Sequence, residues 1–100
     1  MFDWTRISGF DWDEGNARKS TDKHGVSQAE AEQIFFNEPL LLAADVAHSN
    51  MERRIQALGR TDAGLMLQVT FTLREDATKI RVISARPMSR RERKEYGEAD

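Results

Sequence analysis

The stretch L-M-L-Q-V-T-F-T-L, Leu65 to Leu73, constrains the fold more tightly than any other part of the chain. Leu65, Leu67, Val69, Phe71 and Leu73 share one side of an extended backbone, and Gln68, Thr70 and Thr72 share the other. That two-residue period is the signature of a strand with one core face and one face that is wet or covered by polar partners. Asp62-Ala63-Gly64 supplies a turn before it, and Arg74 to Thr78 supplies the connection after it. The following strand, Lys79 to Arg86, sets Ile80, Val82, Ser84 and Arg86 against Arg81, Ile83 and Ala85. Strict alternation therefore carries Arg86 to the strand end in phase with core residues.

The rest of the chain must cover this pair. Leu40 to Ala44 and Arg54 to Leu58 read as further strands, with A-H-S-N-M between them. Upstream, an extended piece at Gly9 to Trp12 leads to Asp13, the N-cap of a helix that reaches His24 and stops at Gly25. Ser27-Gln28-Ala29-Glu30 is a capping box, and Val26 and Ala31 form its hydrophobic staple. This second helix carries Ala31, Ile34, Phe35 and Phe36 and ends before Pro39. Phe35, Phe36 and Leu40 to Leu42 read as core, and Trp12 as packing. Ser89-Arg90-Arg91-Glu92 is another capping box and opens a C-terminal helix. The expected architecture is α+β, with two N-terminal helices, a largely antiparallel sheet and a C-terminal helix. One hundred residues sustain one modest core, so residues 1–100 form a single domain, with residues 1–8 as an N-terminal extension.

With 39% hydrophobic and 32% charged residues the composition is that of a soluble protein, and a net charge of −2 argues against a surface that coats nucleic acid generally. The charge is nevertheless polarised. Lys79, Arg81, Arg86, Arg90, Arg91, Arg93 and Lys94 face a single acid, Glu92, between positions 79 and 94. The absence of cysteine excludes disulfides, thiol nucleophiles and thiolate metal sites, and fits a reducing compartment. No signal peptide is visible, and the apolar run from Pro39 to Ala44 is far too short to span a bilayer, so a cytoplasmic protein is expected. His24 and His48 lack ligand partners at helical spacing, so no metal is expected. No G-x-S-x-G elbow or glycine-rich phosphate loop occurs, and no cofactor is expected.

The basic stretch Ser84 to Lys94 breaks a local rule. A helix start favours anions, yet Arg90 and Arg91 occupy its first turn and Arg86 lies just upstream. Free helix amides joined by guanidinium groups make a strong anion site, and arginine grips phosphate through two parallel hydrogen bonds. A phosphate-bearing partner is the natural expectation. Glu52-Arg53-Arg54 suits either acid–base chemistry or a surface ion-pair set. Lys23 and His24 meet the dipole at a helix end, which is a structural role in its own right.

Taken in order, W-D-E at Trp12 to Glu14, K-H-G at Lys23 to Gly25, F-F-N-E-P at Phe35 to Pro39, H-S at His48 and Ser49, E-x-R at Glu52 to Arg54, L-G at Leu58 and Gly59, then R-V-I-S-A-R and R-R-E-R resemble the BrnT family. The resemblance implies a ribonuclease toxin of a bacterial type II toxin–antitoxin module, with a fold similar to RelE. It also implies an antitoxin, BrnA, with a ribbon-helix-helix DNA-binding domain, forming a heterotetramer that represses its own operon. Metal-free RNA cleavage needs a base for the 2′-hydroxyl, cations for the transition state and an acid for the leaving oxygen. On that reading Arg86 and Arg54 stabilise charge, Glu52 is the base, and Lys23 is an acid or a phosphate contact. Arg90, Arg91, His24 and Arg81 then hold the RNA. The alternative is a non-catalytic module, or a degenerate toxin, that binds its antitoxin or nucleic acid through the basic patch without cleavage.

Overall fold

A computed structural model describes residues 4–45 and 53–99. A 3-10 turn, Trp4–Arg6, precedes β1 (Gly9–Trp12), α1 (Glu14–His24) and α2 (Gln28–Gln33). A second 3-10 turn (Ile34–Phe36), β2 (Leu41–Ala44), β3 (Ile55–Arg60), β4 (Met66–Arg74), β5 (Lys79–Pro87) and α3 (Arg90–Ala99) follow. Among the described residues the strands form one five-stranded sheet in the order β1-β5-β4-β3-β2. Every pairing is antiparallel except β1 with β5, which is parallel. A strand therefore precedes both early helices and closes one edge of the sheet, where the sequence suggested only an extended lead-in.

The caps behave as their residue types require. Asp13 accepts from the Asn16 amide at 3.1 Å, and Gly25 takes the left-handed conformation (φ 69°) that ends α1. The Ser27–Glu30 box closes at 3.1 and 3.0 Å, and Val26 and Ala31 are buried beside it. β1 pairs with β5 only as far as Val82, and the edge beyond is met by α1. The buried Ser20 hydroxyl accepts from the Ala85 amide at 3.2 Å, satisfying an edge donor that would otherwise be stranded.

The core lies on one sheet face. Ala57, Leu67, Val69, Phe71, Ile80, Val82 and Ala85 point into it, and Val26, Ala31, Ile34 and Phe35 cover it. Each large aliphatic or aromatic side chain buried in this way contributes roughly 1.5–3 kcal/mol. Phe35 crosses Phe71 edge-on at 5.2 Å. Gly59 lets the Ile34 turn come this close, since a Cβ there would stand 2.8 Å from the Ile34 Cβ and 3.3 Å from its carbonyl oxygen.

Three expectations about the core need correction. The helix that starts at Ser27 tightens into a 3-10 turn after Gln33, which buries Ile34 and Phe35 but turns Phe36 outward at 77% exposure. Leu42, on the edge strand β2, is also exposed. Leu65 stands outside β4 and is exposed, because the Asp62-Ala63-Gly64 turn extends to it; the Leu65 amide donates to the Thr61 hydroxyl.

Candidate active site

The opposite sheet face carries the polar residues. Gln68, Thr70 and Thr72 alternate with the core residues of β4, and the face is covered, not wet: Gln68 is 3% exposed and Thr72 2%. Gln68 donates to the Thr70 hydroxyl at 3.2 Å, and the Thr72 hydroxyl donates to the Arg53 carbonyl at 2.8 Å. These bonds satisfy groups whose burial would otherwise be costly. The second also brings the backbone just before Arg54 onto β4.

Arg86 belongs to this face, which reverses the phase expected from strict alternation. Phe71 pairs with Val82 and Thr70 with Ser84, so Ile83 is an extra residue in β5. Such a bulge shifts every later side chain by one position. Ala85 consequently turns into the core, and Arg86 stands opposite Gln68 beside the polar row. Arg81 lies opposite Thr72 on the same face.

Neither arginine is a bare cation. Arg81 holds the Asp11 Oδ2 atom through Nη2 at 2.7 Å and Nε at 3.1 Å, across the parallel β1–β5 pair. Arg86 grips Glu92 with two hydrogen bonds, Nη1 to Oε1 at 2.7 Å and Nη2 to Oε2 at 2.9 Å, and Nη1 also donates to the Pro87 carbonyl at 3.1 Å. Because Arg86 leaves the sheet on the polar face, this grip sets the start of α3 over that face. The hydrogen bonds from Arg86 hold the Glu92 carboxyl below its ordinary pKa against the opposing effect of burial. The bonds to Glu92 raise the Arg86 pKa in turn.

Glu92 also completes the capping box, with the Ser89 amide donating to Oε1 at 2.8 Å and the Glu92 amide donating to the Ser89 hydroxyl at 3.2 Å. The sequence marks the box, but nothing in its i, i+3 spacing discloses that the same carboxylate reaches back six residues to Arg86. Asp11 was missed similarly, because its partnership depends on the parallel pairing. Asp45 is buried at the end of β2, where its amide donates to the Arg54 carbonyl at 2.9 Å. That neighbour of Arg54 also escapes a sequence reading.

The other candidates are spread around this centre. Arg54 is half-buried immediately before β3. Lys23 is exposed and His24 half-buried in the last turn of α1, just beyond Ser20 and its bond to the residue preceding Arg86. Neither side chain makes a hydrogen bond or ion pair among the described residues. Arg90 and Arg91 are exposed on the first turn of α3, and Arg91 approaches Glu95 at 3.4 Å. Glu52 and His48 lie outside the described residues. Among the described residues, no group of three or more histidine or acidic side chains could hold a metal ion, and no helix is long and apolar enough to cross a membrane.

A mostly antiparallel sheet with one apolar face, and one polar face on which Arg81 and Arg86 are held by carboxylates, defines a small α+β protein. The family profile described as "Ribonuclease toxin, BrnT, of type II toxin-antitoxin system" matches residues 12–92, and the chain belongs to that family. The crystal structure of the Brucella abortus ribonuclease toxin BrnT superposes with a TM-score of 0.62 at 21% identity, covering 84% of this chain and 100% of that one. At that identity the likeness speaks to the fold. No curated protein matches the chain in sequence.

Proposed function

We propose that this protein is the growth-inhibiting toxin of its module, an endoribonuclease that cuts RNA without a metal through attack of the 2′-hydroxyl on the adjacent phosphate. Beside family membership, the observation that carries this reading is the common face of Arg86 and Arg81. Strand β3, which Arg54 directly precedes, is tied to the same sheet. Arg86 and Arg54 offset the charge that develops on the phosphoryl oxygens, and Glu52 accepts the 2′-hydroxyl proton. Lys23 serves the leaving oxygen or a phosphate, while Arg81, His24, Arg90 and Arg91 hold the RNA backbone. The partner in this reading is a BrnA-type ribbon-helix-helix antitoxin, assembled with the toxin as a heterotetramer in the cytoplasm, and the fold is of the RelE kind.

Incubating the purified toxin with RNA in excess EDTA tests the chemistry directly. Fragments ending in a 2′,3′-cyclic phosphate or 3′-phosphate are expected; intact RNA, with the fold verified by circular dichroism, would sink the proposal. Cleavage that disappears with EDTA and returns with a divalent ion would remove only the metal-free mechanism. The pairing of both Arg81 and Arg86 with carboxylates favours a second reading, a module that binds without cutting, since paired guanidiniums offer less net positive potential. RNA recovered whole from a stable complex would select it. A short ribbon-helix-helix reading frame beside the gene, whose product co-purifies with the toxin, tests the partner.

A further inference from the structure

We infer that Glu92 is a positioning residue for Arg86, fixing one edge of the guanidinium group and leaving the other for a phosphate of the RNA. The inference deepens the ribonuclease reading and rests on its assignment of Arg86 to the phosphate. A guanidinium group carries five N–H donors in one plane. Both Nη1 donors are used, on the Pro87 carbonyl and Glu92 Oε1, and one Nη2 donor is used on Glu92 Oε2. The Nε donor and the second Nη2 donor make no hydrogen bond among the described residues. These two lie along the same side of the plane and point in parallel, the arrangement that matches two oxygens of a phosphodiester. The Arg86 side chain is 37% exposed, and its Nε atom is not among the buried polar atoms left without a partner.

Glu92 can hold this geometry because it is held itself. Its Oε1 atom receives the Ser89 backbone amide as well as Arg86, a bond that does not depend on the Ser89 side chain. Arg86 is thereby referenced to the frame of α3 at one end and to β5 at the other. Long arginine side chains lose considerable rotamer freedom when they order, and a preformed grip removes that cost from the catalytic step. With its pKa held below the ordinary carboxylate value, Glu92 stays ionised at neutral pH and is an acceptor only. It orients the cation and donates no proton.

Ser89 separates this role from helix capping. Ser89→Ala removes half of the capping box without touching Arg86, whereas Glu92→Gln retains an acceptor for the Ser89 amide but only one of the two bonds to Arg86. Four quantities decide the matter in both variants and in Glu92→Ala: kcat and KM for RNA cleavage, affinity for an uncleavable 2′-O-methyl oligoribonucleotide, and the thermal midpoint. Ser89→Ala is expected to lower the midpoint and leave kcat within about twofold, since the loss is that of a cap hydroxyl and the backbone amide that holds Glu92 stays in place. Glu92→Ala is expected to lower the midpoint further and to lose kcat by roughly tenfold or more, with Glu92→Gln between, as expected for lost orientation. Affinity for the oligonucleotide should fall in the order wild type, Glu92→Gln, Glu92→Ala. Equal activity loss in Ser89→Ala and Glu92→Ala would overturn the inference and leave Glu92 as a cap alone. Higher activity in Glu92→Ala would overturn it too, by making the carboxylate a competitor of the phosphate. Should the wild type leave RNA intact, the ribonuclease reading fails, yet the oligonucleotide affinities still decide the positioning role.

Discussion

Arg86 has a planar fork to offer, and replacement by lysine tests whether the fork matters or only the charge. Lysine keeps one positive charge near Glu92 but cannot give two parallel hydrogen bonds to a carboxylate and two more to a phosphate. Arg86→Lys is expected to cut kcat/KM for RNA by roughly tenfold or more, a loss of about 1.4 kcal/mol in transition-state binding. Steady-state cleavage kinetics read this, and activity within twofold of wild type would show that charge alone suffices. Glu92 supplies a prediction of its own about pH. Its folded pKa lies below its ordinary value of 4.5, so the unfolded chain takes up the proton first as pH falls. The stability that the Arg86–Glu92 pair contributes is therefore complete above the unfolded value and is lost as pH drops through the folded one. Melting curves from neutral to acid pH should show the gap in thermal midpoint between wild type and Glu92→Gln closing in that acid range. A gap that persists unchanged at the lowest pH would mean that the charge of Glu92 contributes nothing.

Elements meet through small residues and turns, and here several family motifs turn out to be parts of the scaffold. Gly59 of the L-G motif is the point where the Ile34 turn crosses β3, and a methyl group there would meet the Ile34 Cβ at 2.8 Å. Gly59→Ala is expected to destabilise by about 1–3 kcal/mol through overpacking, read as a lower urea midpoint at constant m-value. An unchanged midpoint would mean that the turn yields freely. Gly25 of K-H-G provides the left-handed cap, and Asn37 of F-F-N-E-P donates to the Arg60 carbonyl and to Asp62. Trp12 of W-D-E packs on the core and donates to Glu32 at 2.7 Å. Capping chemistry is local, so both ends of α1 and the starts of α2 and α3 were legible in the sequence. The α+β class followed from the order of the elements, early helices, then consecutive strands joined by short loops, then a terminal helix. What escaped the sequence depends on backbone geometry that residue types do not encode at short range. The bulge at Ile83 falls where the alternation slips, Val82 and Ile83 being consecutive apolar residues, and it moves Arg86 to the other face, an outcome that strict alternation hides. The hairpin after β4 has no glycine, yet Glu75, Asp76 and Ala77 all adopt positive φ. The candidate cations were found because charge is visible in composition, whereas their carboxylate partners, six and 70 residues away, are products of the fold.

Across the whole molecule the proposed function divides the labour between the two sheet faces, one for stability and one for binding. α2 and its 3-10 turn close the apolar face, while α3 begins over the polar one and presents Arg90 and Arg91 to solvent. The net charge of −2 means that RNA attraction must come from such local clusters and not from the molecule's overall field. Arg81 and Arg86 are already partnered, so they release little long-range attraction; Arg90 is exposed, and the exposed Arg91–Glu95 pair is weak. Affinity for an uncleavable oligoribonucleotide should therefore be salt-sensitive mainly through the α3 arginines. For single strands the logarithm of affinity changes with the logarithm of salt by roughly 0.7 per phosphate contacted, so replacing both Arg90 and Arg91 by glutamine should flatten the slope by about 1.4. Saturating RNA should restore kcat in that double variant, because the lost contacts serve capture and not the reacting phosphate. An unchanged slope would detach the first turn of α3 from RNA and leave its positive charge to another partner, for which an acidic stretch of the antitoxin competing with the oligonucleotide is the direct test.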